Sequence, residues 1–190
     1  MSGSADDQGA AHGQEPVDPA KLAERAQADA ALLAEFNTCV TQSDEMLKKG
    51  GVPAQRARDI AFARSLLFLP EWNIVACAVK GEREPEVKQF AMIEVKGPDG
   101  KSCPSLAVFP TATIARAESL RMRVPIEDGF WVTLSAPIAG VVDWLKTLQV
   151  QAVSVINATP ANGPSCVLGL DFIDWVQKVE AQQQQGGQQQ

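Results

Sequence analysis

Residues 72–109 read WNIVACAVKGEREPEVKQFAMIEVKGPDGKSCPSLAVF, and this stretch decides the fold class. It contains three apolar runs, Asn73–Val79, Gln89–Val95 and Leu106–Phe109. Each is too short for a stable helix and is bounded by polar or turn-forming residues, so each predicts a strand. Lys96-Gly97-Pro98-Asp99-Gly100-Lys101 carries the proline and glycines of a tight turn and joins the second run to the third. The polar segment Lys80–Lys88, with Glu82, Glu84 and Glu86, joins the first run to the second. The outcome is an antiparallel meander.

Upstream of the meander the period is helical. Asp18-Pro19 pairs a capping residue with proline at the first helical position, and an Ala-rich stretch then runs to Gly50-Gly51, giving a long helix over residues 19–51. Leu33, Phe36, Val40 and Leu47 recur along it as one apolar stripe, which must be buried on the domain or on another chain. Pro53 starts a shorter helix in which Arg56, Arg58 and Arg64 form a basic row, a solvated face or a docking surface for an acidic partner.

Downstream, helices and strands alternate. Thr111 or Thr113 caps a short helix, and Met122, Val124 and Ile126 alternate as an edge strand that tolerates Pro125. Ser135 is placed to cap a helix with Ile138, Val141, Val142, Leu145 and Leu148 on its apolar face. Ala152–Ile156 and Cys166–Leu168 read as short strands around the loop 157–164. A last helix, capped by Asp171, puts Phe172, Trp175, Val176 and Val179 on one side. This order predicts an α+β (mixed α/β) fold: a meander plus helix–strand units, helices packed on a single sheet, and a long N-terminal helix in front. The domain proper spans 53–181. Residues 1–18 read as a disordered acidic tail and Gln182–Gln190 as a disordered Gln-rich tail.

Composition narrows the function classes. Asp and Glu exceed Lys and Arg by 23 to 17, a net charge of -6 that opposes phosphate binding, so nucleic acid is not an expected partner. The longest apolar stretch, Ile60–Val79, is broken by Arg64, Pro70 and Glu71, and the N-terminus has no signal-peptide pattern. A cytoplasmic chain with no membrane partner is expected, with secretion by a signal-independent route as the alternative.

Chemistry-bearing patterns are sparse. His12 is the only histidine, so neither a His-assisted nucleophile nor a multi-histidine metal site is expected. Cys39, Cys77, Cys103 and Cys166 lack zinc or redox spacing and read as reduced structural residues. Gly97–Ser102 ends in Gly-Lys-Ser, yet only Pro98 and Asp99 separate its glycines, and a strand rather than a helix follows, so it is a hairpin turn and not a phosphate loop. No catalytic residue, cofactor or metal is expected. The expected role is a non-enzymatic protein-interaction or regulatory domain whose partner is another protein or a second copy. Leu33, Phe36, Val40, Leu47 and Trp175 form its candidate partner surface. The alternative is a small-ligand binder or enzyme with a pocket at Asn157, Thr159 and Asn162, in a loop rich in Asn, Gly and Pro.

Three fragments carry a family resemblance: Phe62-Ala63-Arg64-Ser65-Leu66-Leu67-Phe68-Leu69-Pro70, Leu106-Ala107-Val108-Phe109-Pro110-Thr111, and Val153-Ser154-Val155-Ile156-Asn157. In content and order they resemble the SseB family N-terminal domain. The resemblance implies a small bacterial, intracellular α/β or α+β domain with no catalytic residues to carry over. It also implies a link to enhanced serine sensitivity or type III secretion.

Overall fold

The computed structural model describes residues 19–81, 86–96, 102–121, 129–156 and 165–187. In chain order the elements are α1 (Pro19–Lys49), α2 (Ala54–Phe68), β1 (Glu71–Val79), β2 (Glu86–Phe90), β3 (Met92–Lys96), β4 (Ser102–Phe109), α3 (Ala112–Arg121), β5 (Gly129–Pro137), α4 (Ile138–Thr147), β6 (Ala152–Val155), β7 (Cys166–Gly169) and α5 (Leu170–Gly187). It is an α+β fold with the long leading helix that the sequence predicts.

The sheet is mixed. β1 pairs antiparallel with β5 along its whole length and with β4 at Asn73 and Ile74; β4 runs parallel to β6, and β6 antiparallel to β7. The meander is present, but its middle strand is broken at Ala91. Residues 86–90 pair with β1 and residues 92–96 with β4. At the crossing, Ala91 N–H donates to Val75 O (2.8 Å) and Ala91 O accepts from Ala107 N–H (3.1 Å). The middle strand is thus a wedge between β1 and β4, which meet directly only at their far ends. β3 and β4 pair antiparallel from Met92 opposite Leu106 to Lys96 opposite Ser102, as a hairpin requires, while residues 97–101, where the turn is expected, lie outside the described residues.

β1 is buried over Trp72–Ala78 because helices cover both faces, which accounts for its unbroken apolar run. On one face Trp72, Ile74, Leu106, Val108, Val153, Val155 and Leu168 meet Leu66 of α2, Leu145 of α4 and Ile173 of α5. Trp72 is fully buried there, and its indole N–H donates to Leu66 O at 2.9 Å, so its polar atom is satisfied. On the opposite face Val75, Ala107, Phe109 and Ile156 pack with Ala115 of α3.

The stripe of α1 is partly spent inside the chain. Phe36 is 3% exposed and meets Phe62 of α2 edge-on with ring centroids 6.2 Å apart, and Val40 is also buried. Leu33 and Leu47 are half-buried. The helix ends by hydrogen-bond geometry: Gly51 adopts φ 85°, its N–H donates to Lys48 O, and Val52 N–H donates to Leu47 O, the pattern of a Schellman cap. Farther up α1, Asp29 Oδ2 accepts from the Thr113 N–H (2.7 Å) and hydroxyl (2.6 Å), while Thr111 Oγ1 accepts from Ile114 N–H (3.4 Å). Thr111 is therefore the cap of α3, and Asp29 serves a second orphan donor from outside that helix.

Several expectations need correction. Ser135 does not cap α4: it is a β5 residue, and Pro137 occupies the cap position without a side-chain bond. Leu148 is 41% exposed because α4 ends at Thr147 in a tight turn with Gln149 at φ 58°. The buried stripe of α5 is Leu170, Ile173 and Val176, which the 3.6-residue period places together. Phe172 and Trp175 lie on its flank, and Asp171 sits inside the first turn, not at the cap. The helix also continues to Gly187, through most of the Gln-rich segment expected to be disordered. The strand expected at Met122–Ile126, the tail 1–18 and the loop residues Asn157, Thr159 and Asn162 lie outside the described residues.

Candidate functional site

The candidate partner residues separate in three dimensions. Phe36 and Val40 are core; Trp175, 46% exposed, lies at the other end of the chain on α5. Trp175 stacks on Phe172 (5.7 Å), and the Arg56 guanidinium lies 4.2 Å from the Phe172 ring centroid and 5.1 Å from that of Trp175. The rest of the basic row also has partners, although Arg56 and Arg58 stay exposed. Arg58 donates to Ser165 O (2.8 Å) and Arg64 pairs with Glu180 (2.6 Å), so the three arginines hold α2 to α5 and to the start of β7.

Titratable groups with displaced pKa values are moved away from neutrality. Burial pushes the Cys166 thiol up to about 12, with the nearby Asp59 carboxylate adding to the effect, so it is no thiolate nucleophile. Hydrogen bonds from Lys146 and Lys178 hold Asp174 below the usual carboxylate range, and Asp174 in turn raises Lys146. A hydrogen bond from Lys88 lowers Glu86. Among the described residues no group of three His, Cys, Asp or Glu side chains is placed to hold a metal ion, all four cysteines are free, and no helix is long and apolar enough to cross a membrane.

The surface feature that remains is the outer edge of β5. Its nine residues, Gly129-Phe130-Trp131-Val132-Thr133-Leu134-Ser135-Ala136-Pro137, carry no charge, and among the described residues no strand lies beside it on the side away from β1. Sheet edges are ordinarily blunted by charge, by shortness or by covering groups. The opposite edge is blunted in this way: β7 has four residues, and Arg58 covers the Ser165 carbonyl just before it.

The polarity of the free edge follows from one hydrogen bond. Val75 O accepts from Ala91 N–H, so Val75 turns its backbone polar groups away from β5. Backbone polar groups alternate sides along an antiparallel strand, so Ile74 and Ala76 turn theirs toward β5. Their partners Leu134 and Val132 are therefore bonded to β1, while Trp131, Thr133 and Ser135 point N–H and C=O off the sheet. The strand itself is well anchored. Ser135 Oγ donates to Asn73 Oδ1 (3.0 Å), and Asn73 Nδ2 donates to Phe109 O (3.4 Å), a side-chain clip across β5, β1 and β4.

Beside the edge the sheet carries an apolar surface. The register places Val87, Ala78 and Phe130 in one row and Phe90, Ala76 and Val132 in the next, followed by Ile74 beside Leu134. Phe130 is 43% exposed, Val87 is also exposed, and Val132 and Leu134 are half-buried. Trp144 of α4 forms the wall, 38% exposed and edge-on to Phe90. A groove of about 360 Å³ runs between α4 and β5, lined by Leu134, Ala136, Pro137, Gly140, Val141 and Trp144. Gly140 adopts φ 82°, which turns the chain from strand to helix at the end of this groove.

Comparison of the chain with known family models, with curated proteins and with solved structures finds no match. The sequence reading missed this site because Ser135 was read as a helix cap and no strand was assigned to Phe130–Ala136. The signal that reveals it is the alternation of Phe130, Val132, Leu134 and Ala136 with Trp131, Thr133 and Ser135, uninterrupted by charge.

Proposed function

We propose that this chain is a non-enzymatic interaction or regulatory domain that binds a protein strand along the outer edge of β5. The observation that carries the reading is an uncharged nine-residue edge bordering an apolar groove walled by Trp144. An added strand gains main-chain hydrogen bonds at Trp131, Thr133 and Ser135, and side chains on its apolar face enter the groove against Leu134 and Trp144. The SseB-like fragments support a bacterial setting for this role, as an accessory factor in a secretion or stress pathway.

Thr133→Pro tests the reading. Its N–H points off the sheet, so proline removes one edge donor without touching a bond to β1. Full-length wild type retains a stoichiometric partner, itself or another protein, on affinity purification from native extract, and Thr133→Pro loses it while far-UV circular dichroism is unchanged. Equal retention by both forms contradicts the proposal.

A further inference from the structure

The partner chemistry follows from the edge itself. We infer that β5 pairs with β5 of a second copy of this chain, antiparallel about a two-fold axis through Thr133. The inference rests on the reading of β5 as an association edge and names its occupant.

A two-fold axis normal to the sheet keeps each face of the sheet continuous across the joint, and centring it on Thr133 is the choice that overlaps all nine residues. Thr133 then faces its own copy and Trp131 faces Ser135 of the second copy, and these are the residues whose N–H and C=O point outward. Pro137, which has no N–H, falls opposite Gly129 at the ends of the joint, where a missing donor disturbs the ladder least.

The side chains also complement one another. On the grooved face Phe130 lies opposite Ala136 of the second copy and Val132 opposite Leu134. This repeats the large-against-small matching by which β1 already receives β5, where Phe130 meets Ala78 and Ala136 meets Trp72. The apolar rows that end at the β5 edge continue into the second copy's sheet. Charge agrees: each copy carries -6, and like charges facing each other across a sheet repel, but β5 brings none to the joint. Arg25 of α1 and Arg116 of α3 line a pocket with Thr133 and Ser135 on the face away from the groove, but the strand itself carries no charge and its own sequence satisfies it in register.

The test is sedimentation velocity of the full chain over a wide concentration series, with site-specific cross-linking to fix the register. Wild type is expected to pass from the chain mass to twice that mass by mass action, and Thr133→Pro to remain at the chain mass with an unchanged circular dichroism spectrum. In a Cys39→Ser, Cys103→Ser background, Thr133→Cys is expected to form a disulfide dimer under mild oxidation. Opposed residues of a hydrogen-bonded pair sit about 5.5 Å apart at Cα, within the range of about 4.4–6.8 Å that a disulfide spans. Ser135→Cys is expected not to, because its copy lies four residues along the ladder, about 14 Å away. A wild type that stays at the chain mass throughout overturns the inference, as does a dimer that cross-links through 135 and not 133. If wild type is monomeric yet Thr133→Pro releases a different stoichiometric protein from extract, the edge reading stands and the second copy is rejected. If neither occurs, both fall. Should Thr133→Pro fail to fold, the 133 and 135 cross-linking pair decides alone.

Discussion

Phe36→Ala separates the two fates open to the first helix, burial on its own domain or presentation to a partner. Phe36 is 3% exposed and edge-on to Phe62 at 6.2 Å, so truncation removes nearly a whole aromatic side chain from a packed site. Phenylalanine-to-alanine changes at such positions cost about 3–5 kcal/mol, transfer and cavity terms together. A domain of this kind holds about 5–15 kcal/mol in total, so the loss is readily measured. Urea denaturation followed by circular dichroism is expected to show a lower midpoint at unchanged slope. A double-mutant cycle with Phe62→Leu should return a coupling of about 0.5–1.5 kcal/mol from the ring pair. A loss under about 1 kcal/mol, the range of surface substitutions, refutes the reasoning. It would mean that α1 is not held on α2 and that the stripe Leu33, Phe36, Val40 and Leu47 is open to another chain.

Three further predictions concern features away from the edge. Gln149 sits at φ 58° in the turn that closes α4, with Val150 N–H bonded to Leu145 O and Gln149 N–H to Lys146 O; Gln149→Gly is expected to raise stability by about 0.5–1 kcal/mol, because relief of left-handed strain exceeds the added chain entropy, and a lower melting temperature contradicts this. Ser154 Oγ donates to Ser105 Oγ at 2.9 Å with both residues fully buried. Ser154→Ala is expected to cost about 1–3 kcal/mol by orphaning Ser105, and the Ser105→Ala, Ser154→Ala pair less than the sum, as thermal melts of all four forms will show. Asp174 is held below its ordinary pKa by hydrogen bonds from Lys146 and Lys178. A depressed carboxylate contributes stability above its unfolded pKa of about 3.9 and loses it as pH falls through the lower folded value. The stability gap between wild type and Asp174→Asn should therefore be constant near neutrality and close below about pH 4; a gap that widens in acid reverses the sign and defeats the assignment.

The α+β class, the meander, the long first helix and the apolar faces of α4 and β6 were legible because period and turn residues agree along those segments. The break at Ala91 was not legible: its cause is tertiary, the divergence of β1 and β4, and nothing local in Gln89–Val95 marks it. Misreading Ser135 had a local cause, since a serine three residues before an apolar helix has the form of a cap, whereas its hydroxyl is engaged by Asn73 from a neighbouring strand. Arg56 and Arg58 are exposed, as a solvated row would be, but the partners of the row, Phe172, Ser165 and Glu180, were not legible because they lie more than a hundred residues away. Of the candidate site residues on α1, Phe36 and Val40 are buried within the chain and Leu33 and Leu47 are half-buried. The β5 edge became visible only when the sheet showed on which side of Thr133 no strand lies among the described residues.

Backbone amide hydrogen exchange at β5, residue by residue and as a function of protein concentration, tests the association edge most directly. Val132 and Leu134, bonded to β1, should be protected at every concentration. Trp131, Thr133 and Ser135 should exchange freely when dilute and become protected as concentration rises. Free exchange of those three amides at all concentrations contradicts the claim that a second copy covers the edge.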